Sequence, residues 1–195
     1  YISTPTNELM NTRSSNHAEF MNWYEAIHPA FVRYCRSRAY GRMETEDFVQ
    51  EAVLATLEAF YRIERKEKLL SFMIGVANNI LNNQRRRQQF RAAWEDKVLE
   101  RMESQIGDPE VALDIHFLHR AIDQLPERQK EALLLFEIAG FSIRELAQIQ
   151  ESSEAAVKTR LSRARKALQG LLDERDEKSK ALPLSKRLAI YAALF

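Results

Sequence analysis

The residues best suited to chemistry lie on one face of a helix predicted near the C-terminal end of the chain. Lysine, arginine, serine and threonine recur there on the side opposite an apolar stripe, and the most outward of them are Lys158, Thr159, Ser162, Arg163 and Lys166. Lys and Arg can bind phosphates or guanine acceptors, and Ser and Thr can reach base edges. This face therefore predicts contact with DNA.

The apolar stripe predicts how that face is held. Its members recur at steps of four and three and are Val157, Leu161, Ala164, Leu168 and Leu171. Such spacing places them on one side of a helix, which must then be buried against other elements. Ser153 stands just before this helix and is a preferred capping residue type.

Two shorter helices precede the basic helix. One follows Pro126, and the next begins at Ser142 with Glu145 three residues later, which is a capping box. A short helix, a tight turn and a helix with a basic outer face form the helix-turn-helix arrangement. The alternative is a solvated helix on an ordinary bundle, and it leaves the agreement of caps, turn, stripe and charge unexplained.

A second candidate binding surface lies on an earlier predicted helix. Two pairs of asparagines four residues apart interrupt its apolar pattern, and they are Asn78, Asn79, Asn82 and Asn83. Asn is a poor residue for a helix interior, so these amides are expected to face a ligand such as a base. The arginines at positions 85–87 follow; they either complement the dipole at the helix C-terminus or, as the neighbouring asparagines favour, contact phosphate.

The helix before it has an acidic outer surface that includes Asp47, Gln50 and Glu51. Acidic residues in a first helical turn suit the helix dipole. By itself such a surface is usually only solvated.

Composition favours an all-α protein. The 195 residues include five Gly and five Pro, and the net charge is +1. Residues 92–113 hold six acidic and two basic residues, which is typical of an acidic linker. The single cysteine, Cys35, fits a packing role in a reducing compartment. We find no signal peptide and no apolar run long enough to span a membrane.

Two distant sets of motifs resemble one family. DFVQEA and FMIGVANNILNNQRRR resemble the promoter-melting domain of bacterial sigma factors, and LPERQKEALLL, SIRELA and VKTRLSRARKAL resemble their second domain. With two domains and a short linker, the chain resembles the extracytoplasmic-function (ECF) group of the sigma-70 family.

The resemblance implies two small helical domains joined by the acidic linker. The expected divisions are a flexible N-terminal arm (1–16), a region 2 domain (17–91), the linker (92–113), a region 4 domain (114–172) and a C-terminal tail (173–195). The tail either folds back as a short amphipathic helix or binds a partner.

The resemblance also implies roles for individual residues. Those expected on the clamp of the largest catalytic subunit of core RNA polymerase are Asp47, Gln50 and Glu51. Those expected on the −10 strand are Phe72, Asn79, Asn83 and Arg86, beside a base-capturing loop at residues 63–71. Those expected at the −35 duplex are Ser153, Ala156, Lys158, Thr159, Arg160, Ser162 and Arg163, with Arg160 serving either phosphate contact or packing.

The sequence departs from the family pattern at the helix-turn-helix. The turn usually carries Gly and here carries Glu151, so it must be built differently or be strained. Ala155 and Ala156 replace the usual Gly-Thr, which removes one hydroxyl.

The resemblance implies further partners: promoter DNA, the flap of the second largest polymerase subunit and an inhibitory anti-sigma factor. Control by synthesis or by the tail masking its own domain are alternatives to the inhibitor. No cofactor, catalytic activity or membrane insertion is expected, and the expected location is the cytoplasm.

His116 and His119 are three residues apart, but no further Cys or His lies near them to complete a metal site. The competing interpretation is a stand-alone helix-turn-helix regulator, which leaves the acidic surface and the asparagines unexplained.

Overall fold

The computed structural model of the protein describes residues 5–40, 42–87, 102, 104–176 and 182–194, where all regular structure is helical. The prediction of an all-α fold is confirmed. The helices include α1 (Pro5–Ala39), α2 (Thr45–Ala59), α3 (Leu69–Arg87), α4 (Pro109–Gln124), α5 (Glu127–Glu137), α6 (Ile143–Ile149), α7 (Glu154–Asp176) and α8 (Leu184–Leu194). Two 3₁₀ turns, Phe60–Arg62 and Lys66–Lys68, connect α2 to α3.

Helix α1 begins earlier than the sequence predicts. An irregular arm is expected for residues 1–16, but the backbone is helical from Pro5 onward. Proline suits the first position of a helix because its missing N–H would be unpaired there, and no Gly or Pro interrupts the next 23 residues. The helix also continues through Pro29.

Helices α1, α2 and α3 pack together as an N-terminal domain. Fully buried aromatic side chains from the first two helices, Phe20, Phe31 and Phe48, form its centre. Phe60, in the turn after α2, meets the ring of Phe20 edge to face with centroids 5.4 Å apart. This core fixes the directions in which the outer faces of α2 and α3 point.

Helix α4 starts inside the predicted linker. The Asp108 carboxylate accepts hydrogen bonds from the backbone N–H groups of Glu110, at 2.9 Å, and Val111, at 3.4 Å, and Pro109 follows as the first helical residue. An Asp cap with Pro behind it is a strong helix start. The first helical turns of α4 therefore lie within the stretch 92–113, of which residues 92–101 and 103 are outside the described residues.

The C-terminal domain is built from α4, α5, α6 and α7. Its core includes Ile115, Leu118, Leu133 and Leu146, all fully buried. The capping box at the start of α6 is present: the Ser142 hydroxyl accepts from the Glu145 N–H, and the Glu145 carboxylate accepts from the Ser142 N–H. A short α6 followed by a long α7 is the arrangement that the sequence predicts.

The tail helix α8 packs on α4 and α5. Leu188 and Tyr191 are buried there, together with the side chain of Arg187, whose guanidinium lies 3.4 Å from the Asp114 carboxylate. Among the helices that the structure describes, none combines the length and the apolar character needed to cross a membrane.

His119 of α4 lies at the point where the tail helix and the N-terminal domain meet. Its ring stacks on Tyr191, with the Nδ1 atom 2.8 Å from the Tyr191 hydroxyl, and the edge of Tyr40 meets it at 5.5 Å between centroids. Burial lowers the pKa of His119 from 6.5 to about 4, against the opposing attraction of Asp123.

This pKa predicts a loss of stability in mild acid. Between pH 6.5 and pH 4 the unfolded chain binds a proton at His119 that the folded chain does not, so the free energy of unfolding falls as pH falls. The expected loss between pH 8 and pH 5 is about 2 kcal/mol by denaturant titration. His119→Gln should lose less over the same interval, whereas His17→Gln, at an exposed site of α1, should behave as the unmodified protein. Equal losses in all three proteins would contradict the assignment.

Candidate nucleic-acid interface

The outer face of α7 is exposed as the sequence predicts. Lys158, Thr159, Ser162 and Arg163 are all open to solvent, while Val157, Leu161, Ala164 and Leu168 are buried against the domain. The Thr159 hydroxyl donates to the backbone oxygen of Ala155 at 2.9 Å, so its methyl group and its oxygen lone pairs remain available on the outer face.

The start of α7 is fixed by Ser153. Its hydroxyl oxygen accepts a hydrogen bond from the Ala156 N–H at 3.2 Å, and its carbonyl accepts from the Val157 N–H at 3.1 Å. Ser153 is exposed and Ala156 is half-buried. Capping is therefore the role that the geometry gives Ser153.

The turn between α6 and α7 contains the departure noted in the sequence. Glu151 adopts a left-handed backbone conformation with φ 46°, where glycine is the usual residue. Its carboxylate accepts a hydrogen bond from the Lys68 ammonium group at 2.8 Å, and Lys68 belongs to the N-terminal domain. Of a differently built turn and a strained one, the left-handed φ of a non-glycine residue supports strain, and the glutamate side chain makes a contact that glycine could not make.

Arg160 faces the turn rather than the outer surface of α7. Its Nη1 atom donates to the Gln150 side-chain oxygen and to the Ser152 hydroxyl, both at 2.8 Å. A guanidinium group bound in this way holds the end of α6 against α7. Of the two roles left open for Arg160, packing is the one that these contacts support.

Glu131 of α5 connects this turn to the N-terminal domain. Only 7% of the residue is exposed, and its two carboxylate oxygens accept from Gln150 and from Asn78, each at 2.8 Å. The Asn78 oxygen in turn accepts from the Tyr34 hydroxyl at 2.9 Å and from Arg38 at 3.1 Å. Asn78 is thus turned toward protein partners.

The other asparagines of α3 face outward. Asn79, Asn82 and Asn83 are exposed, and Phe72 at the start of the same helix is 37% exposed. Arg86 lies in α3, but its side chain is outside the described residues. The four asparagines therefore divide into one inward amide and three outward ones, which helical spacing alone did not separate.

The acidic surface of α2 is also open. Asp47, Gln50 and Glu51 are exposed as predicted, and Leu54 on the same face is 60% exposed. The sequence analysis missed Leu54, although its position seven residues after Asp47 could have revealed it. An apolar side chain among carboxylates suits a protein partner better than a nucleic acid.

Further contacts join the two domains. Arg38 pairs with Glu127, the Arg42 guanidinium lies 2.5 Å from the Asp123 carboxylate, and Arg33 donates to the Ala139 carbonyl oxygen at 2.8 Å. All three arginines come from α1 or the residues after it, and their partners lie in the C-terminal domain. Sequence reasoning had no signal for these pairs because their members are more than 80 residues apart.

The described residues offer no group of three His, Cys, Asp or Glu side chains arranged to hold a metal ion. Cys35 is fully buried, and burial raises the pKa of its thiol far above the ordinary value, which fits a packing role. The exposed cations, hydroxyls, amides and the Phe72 ring of this surface can bind a partner by charge, hydrogen bonding and stacking.

A helix-turn-helix with an exposed basic face, packed beside a second helical domain, defines a class of DNA-binding proteins. Comparison with known proteins narrows that class. The family model for sigma-70 region 2 matches residues 23–91, and the model for sigma-70 region 4 matches residues 118–168. The chain is 32% identical over 160 residues to the ECF RNA polymerase sigma factor SigD of Mycobacterium tuberculosis, across 77% of this chain and 74% of SigD.

Two solved structures share the fold. CnrH, in complex with the cytosolic domain of CnrY, superposes with a TM-score of 0.55 at 21% identity and covers 85% of this chain and 95% of its own. The sigma factor RpoE, in complex with the anti-sigma factor NepR from Bartonella quintana, gives 0.52 at 23% identity and covers 80% and 98%. The chain belongs to the ECF group of the sigma-70 family, and it directs promoter recognition and transcription initiation.

The contacts of Arg160 predict a structural phenotype. Arg160→Ala should lower the free energy of unfolding of the C-terminal domain by about 1–3 kcal/mol, because the Gln150 oxygen loses its charged donor inside the turn. Lys158→Ala, at an exposed position of the same helix, should change it by less than about 0.5 kcal/mol. Urea titration of both variants separates the two cases, and equal effects would show that the contacts of Arg160 contribute nothing to stability.

Proposed function

We propose that the N-terminal domain binds core RNA polymerase and the −10 element, and that the C-terminal domain binds the −35 element as duplex. The exposed basic face of α7 is the observation that carries this assignment. It presents two cations and two hydroxyls on a helix whose opposite side is fully committed to the domain core. The matching residues, by the family motifs, are Lys158, Thr159, Ser162 and Arg163.

In the −35 complex, α7 enters the major groove. Lys158 and Arg163 bind phosphates or guanine acceptors, and Thr159 and Ser162 contact base edges. Ser153 acts by fixing the start of the helix, where backbone N–H groups can approach a phosphate. Arg160 contributes by positioning α7 through the turn.

At the −10 element, the N-terminal domain holds an unpaired strand. The exposed amides of Asn79 and Asn83 can each donate to and accept from a base, and Phe72 offers an aromatic face for stacking. The loop of residues 63–71 is proposed to hold a flipped base, which costs a few kcal/mol of unstacking. Arg86 is proposed to contact phosphate.

The outer face of α2 is proposed to bind the clamp of the largest polymerase subunit. Asp47 and Glu51 supply charge for a basic partner surface, and Gln50 supplies hydrogen bonds. The exposed Leu54 supplies apolar area on the same face. Apolar and charged side chains next to one another are typical of a protein interface.

We also propose an anti-sigma factor as an inhibitory partner, since RpoE, one of the similar structures, is bound to one. The flap of the second largest subunit is the proposed polymerase contact of the C-terminal domain. The protein acts by binding and needs neither a cofactor nor catalysis of its own. It works where the polymerase and the chromosome are, in the bacterial cytoplasm.

The experiment that tests this function is reconstitution with bacterial core RNA polymerase. The protein should co-purify with the core enzyme and direct run-off transcripts from particular members of a promoter library. Those promoters would yield the −10 and −35 sequences together. Tight binding of the protein alone to a palindromic duplex, without polymerase association, would instead identify a stand-alone regulator.

Charge reversal on α2 should prevent holoenzyme assembly. The double variant Asp47→Lys, Glu51→Lys places cations against a surface proposed to be basic, and its affinity for core polymerase should fall at least about a hundredfold, or roughly 3 kcal/mol. The matched control is Glu19→Lys with Glu25→Lys, an equal charge change on the exposed side of α1. Normal assembly of the α2 variant would refute this interface.

Removal of the outward amides should separate promoter opening from assembly. Asn79→Ala with Asn83→Ala should reduce open-complex formation by about tenfold or more, since each lost base contact is worth about 1 kcal/mol. Polymerase affinity should stay unchanged, and Asn22→Ala on α1 serves as the control. A parallel loss of polymerase binding and promoter opening would contradict the assigned role.

A further inference from the structure

An aromatic ring stands open to solvent between the two binding surfaces of the N-terminal domain. It belongs to Tyr61, which at 62% exposure is the most exposed large apolar side chain among the described residues. Tyr61 lies in the 3₁₀ turn Phe60–Arg62, after α2 and directly before the loop of residues 63–71. The surfaces assigned above to polymerase and to the −10 strand do not include this ring.

The backbone that carries Tyr61 is fixed on both sides. Phe60 is buried, and its carbonyl oxygen accepts from the Ile63 N–H at 3.1 Å and from the Lys66 ammonium group at 2.9 Å. The same ammonium group lies 3.7 Å from the centre of the Phe60 ring, which is a cation–π contact. Lys66 is therefore committed to the turn, and the outward ring of Tyr61 stands on a preorganised support that needs little ordering when a ligand binds.

Arg62 places a positive charge beside the exposed ring. Its Nε atom donates to the Tyr61 hydroxyl at 2.7 Å, and its Cζ atom lies 5.1 Å from the ring centre. An arginine carries five N–H donors in a planar fork, so further donors of this exposed guanidinium can meet a phosphate. Ring and guanidinium together offer a stacking surface with an anion-binding edge.

The charge of this segment favours a nucleic acid over the polymerase as its partner. Residues 61–68 hold four basic and two acidic residues, whereas the exposed Asp47 and Glu51 make the outer face of α2 acidic. A basic protein surface that suits α2 would repel a cationic neighbour. An unpaired strand matches both features of the segment, because its phosphates are negative and every base has a π-face that can stack on an aromatic ring.

We propose that Tyr61 and Arg62 form a nucleotide-stacking site for one further unpaired base of the opened promoter strand, next to the flipped base. Tyr61 stacks on that base, and Arg62 binds the phosphate beside it. The proposal rests on the proposed function, because it extends the −10 surface assigned to residues 63–71. Stacking tolerates any base, so this site holds the open strand and does not select its sequence.

Stacking is tested with an oligodeoxythymidine of about ten nucleotides in which one base is 5-iodouracil. Irradiation breaks the C5–I bond, joins C5 to an aromatic ring stacked on it, and releases HI. With the free full-length protein, mass spectrometry should locate this cross-link at Tyr61. Tyr61→Leu keeps apolar area but has no π-face, so the cross-link should be lost and the affinity for the oligonucleotide should fall about five- to a hundredfold.

Matched variants separate stacking from other effects. Trp23→Leu removes a different exposed aromatic ring, on α1, and should leave the affinity within about twofold of the unmodified protein. Tyr61→Phe keeps the ring and should retain both the affinity and the cross-link, which also shows that the turn still folds. Arg62→Gln should keep the cross-link but reduce the slope of log affinity against log salt by about 0.7, the value for one phosphate contact on a single strand.

The polymerase is the competing partner, because Tyr61 comes directly after α2 in the chain. Tyr61→Leu should leave the affinity for core polymerase unchanged and should reduce open-complex formation about fivefold or more. A fall in core affinity with unchanged binding to the oligonucleotide would overturn the proposal and assign Tyr61 to the protein interface.

Two further results would overturn the proposal. One is absence of a cross-link at Tyr61 both in the free protein and in the complex with core polymerase and a promoter containing an unpaired, iodouracil-substituted bubble. The other is an equal effect of Tyr61→Leu and Trp23→Leu on affinity for the oligonucleotide. The free-protein measurements require no polymerase. Failure to bind core polymerase would therefore contradict the proposed function, while the oligonucleotide measurements would still decide whether Tyr61 stacks on a base.

Discussion

The arrangement of this protein depends on one buried carboxylate. Glu131 has each oxygen bonded to a side chain from a different element, Asn78 of α3 and Gln150 at the end of α6. A carboxylate is costly to bury unless its hydrogen bonds are made, so these partners must stay in place. Gln150 then presents its oxygen to Arg160, which holds the helix-turn-helix turn. Through these hydrogen bonds, Glu131 connects the position of α7 to the contact between the two domains.

The polar side chains of α3 and α7 fall into two groups, those bonded within the protein and those exposed to solvent. Groups on α7 and α3 that the protein itself satisfies, Arg160 and Asn78, set the positions of helices. Their exposed neighbours, such as Lys158 and Asn79, remain open to solvent and are the residues proposed above to contact DNA. The fold thus determines which polar side chains of these helices stay available to a partner.

Glu151, where the family pattern has glycine, makes a contact between the two domains. Glycine would relieve the left-handed conformation at position 151, yet glutamate is present and reaches Lys68. A largely exposed ion pair of this kind contributes little stability by itself. The pair joins the turn to the loop before α3, a contact between the two domains that glycine could not make.

The all-α class, the capping box at Ser142, the exposed face of α7 and the acidic face of α2 could be predicted from the sequence, because each depends on spacing within one helix. The sequence analysis expected an irregular arm where α1 begins at Pro5. It gave no start for α4 and did not say which asparagine turns inward. Helix ends depend on local competition between caps, and helical spacing does not say which amide meets a neighbouring domain. The bonds of Glu131, the contacts of Arg160 and the docking of α8 join residues that are distant along the chain or on separate helices.

The sequence by itself determined which faces are apolar, charged or capped, since these are local properties. Only the tertiary structure decided which polar groups are consumed in holding the two domains together, because that depends on long-range packing.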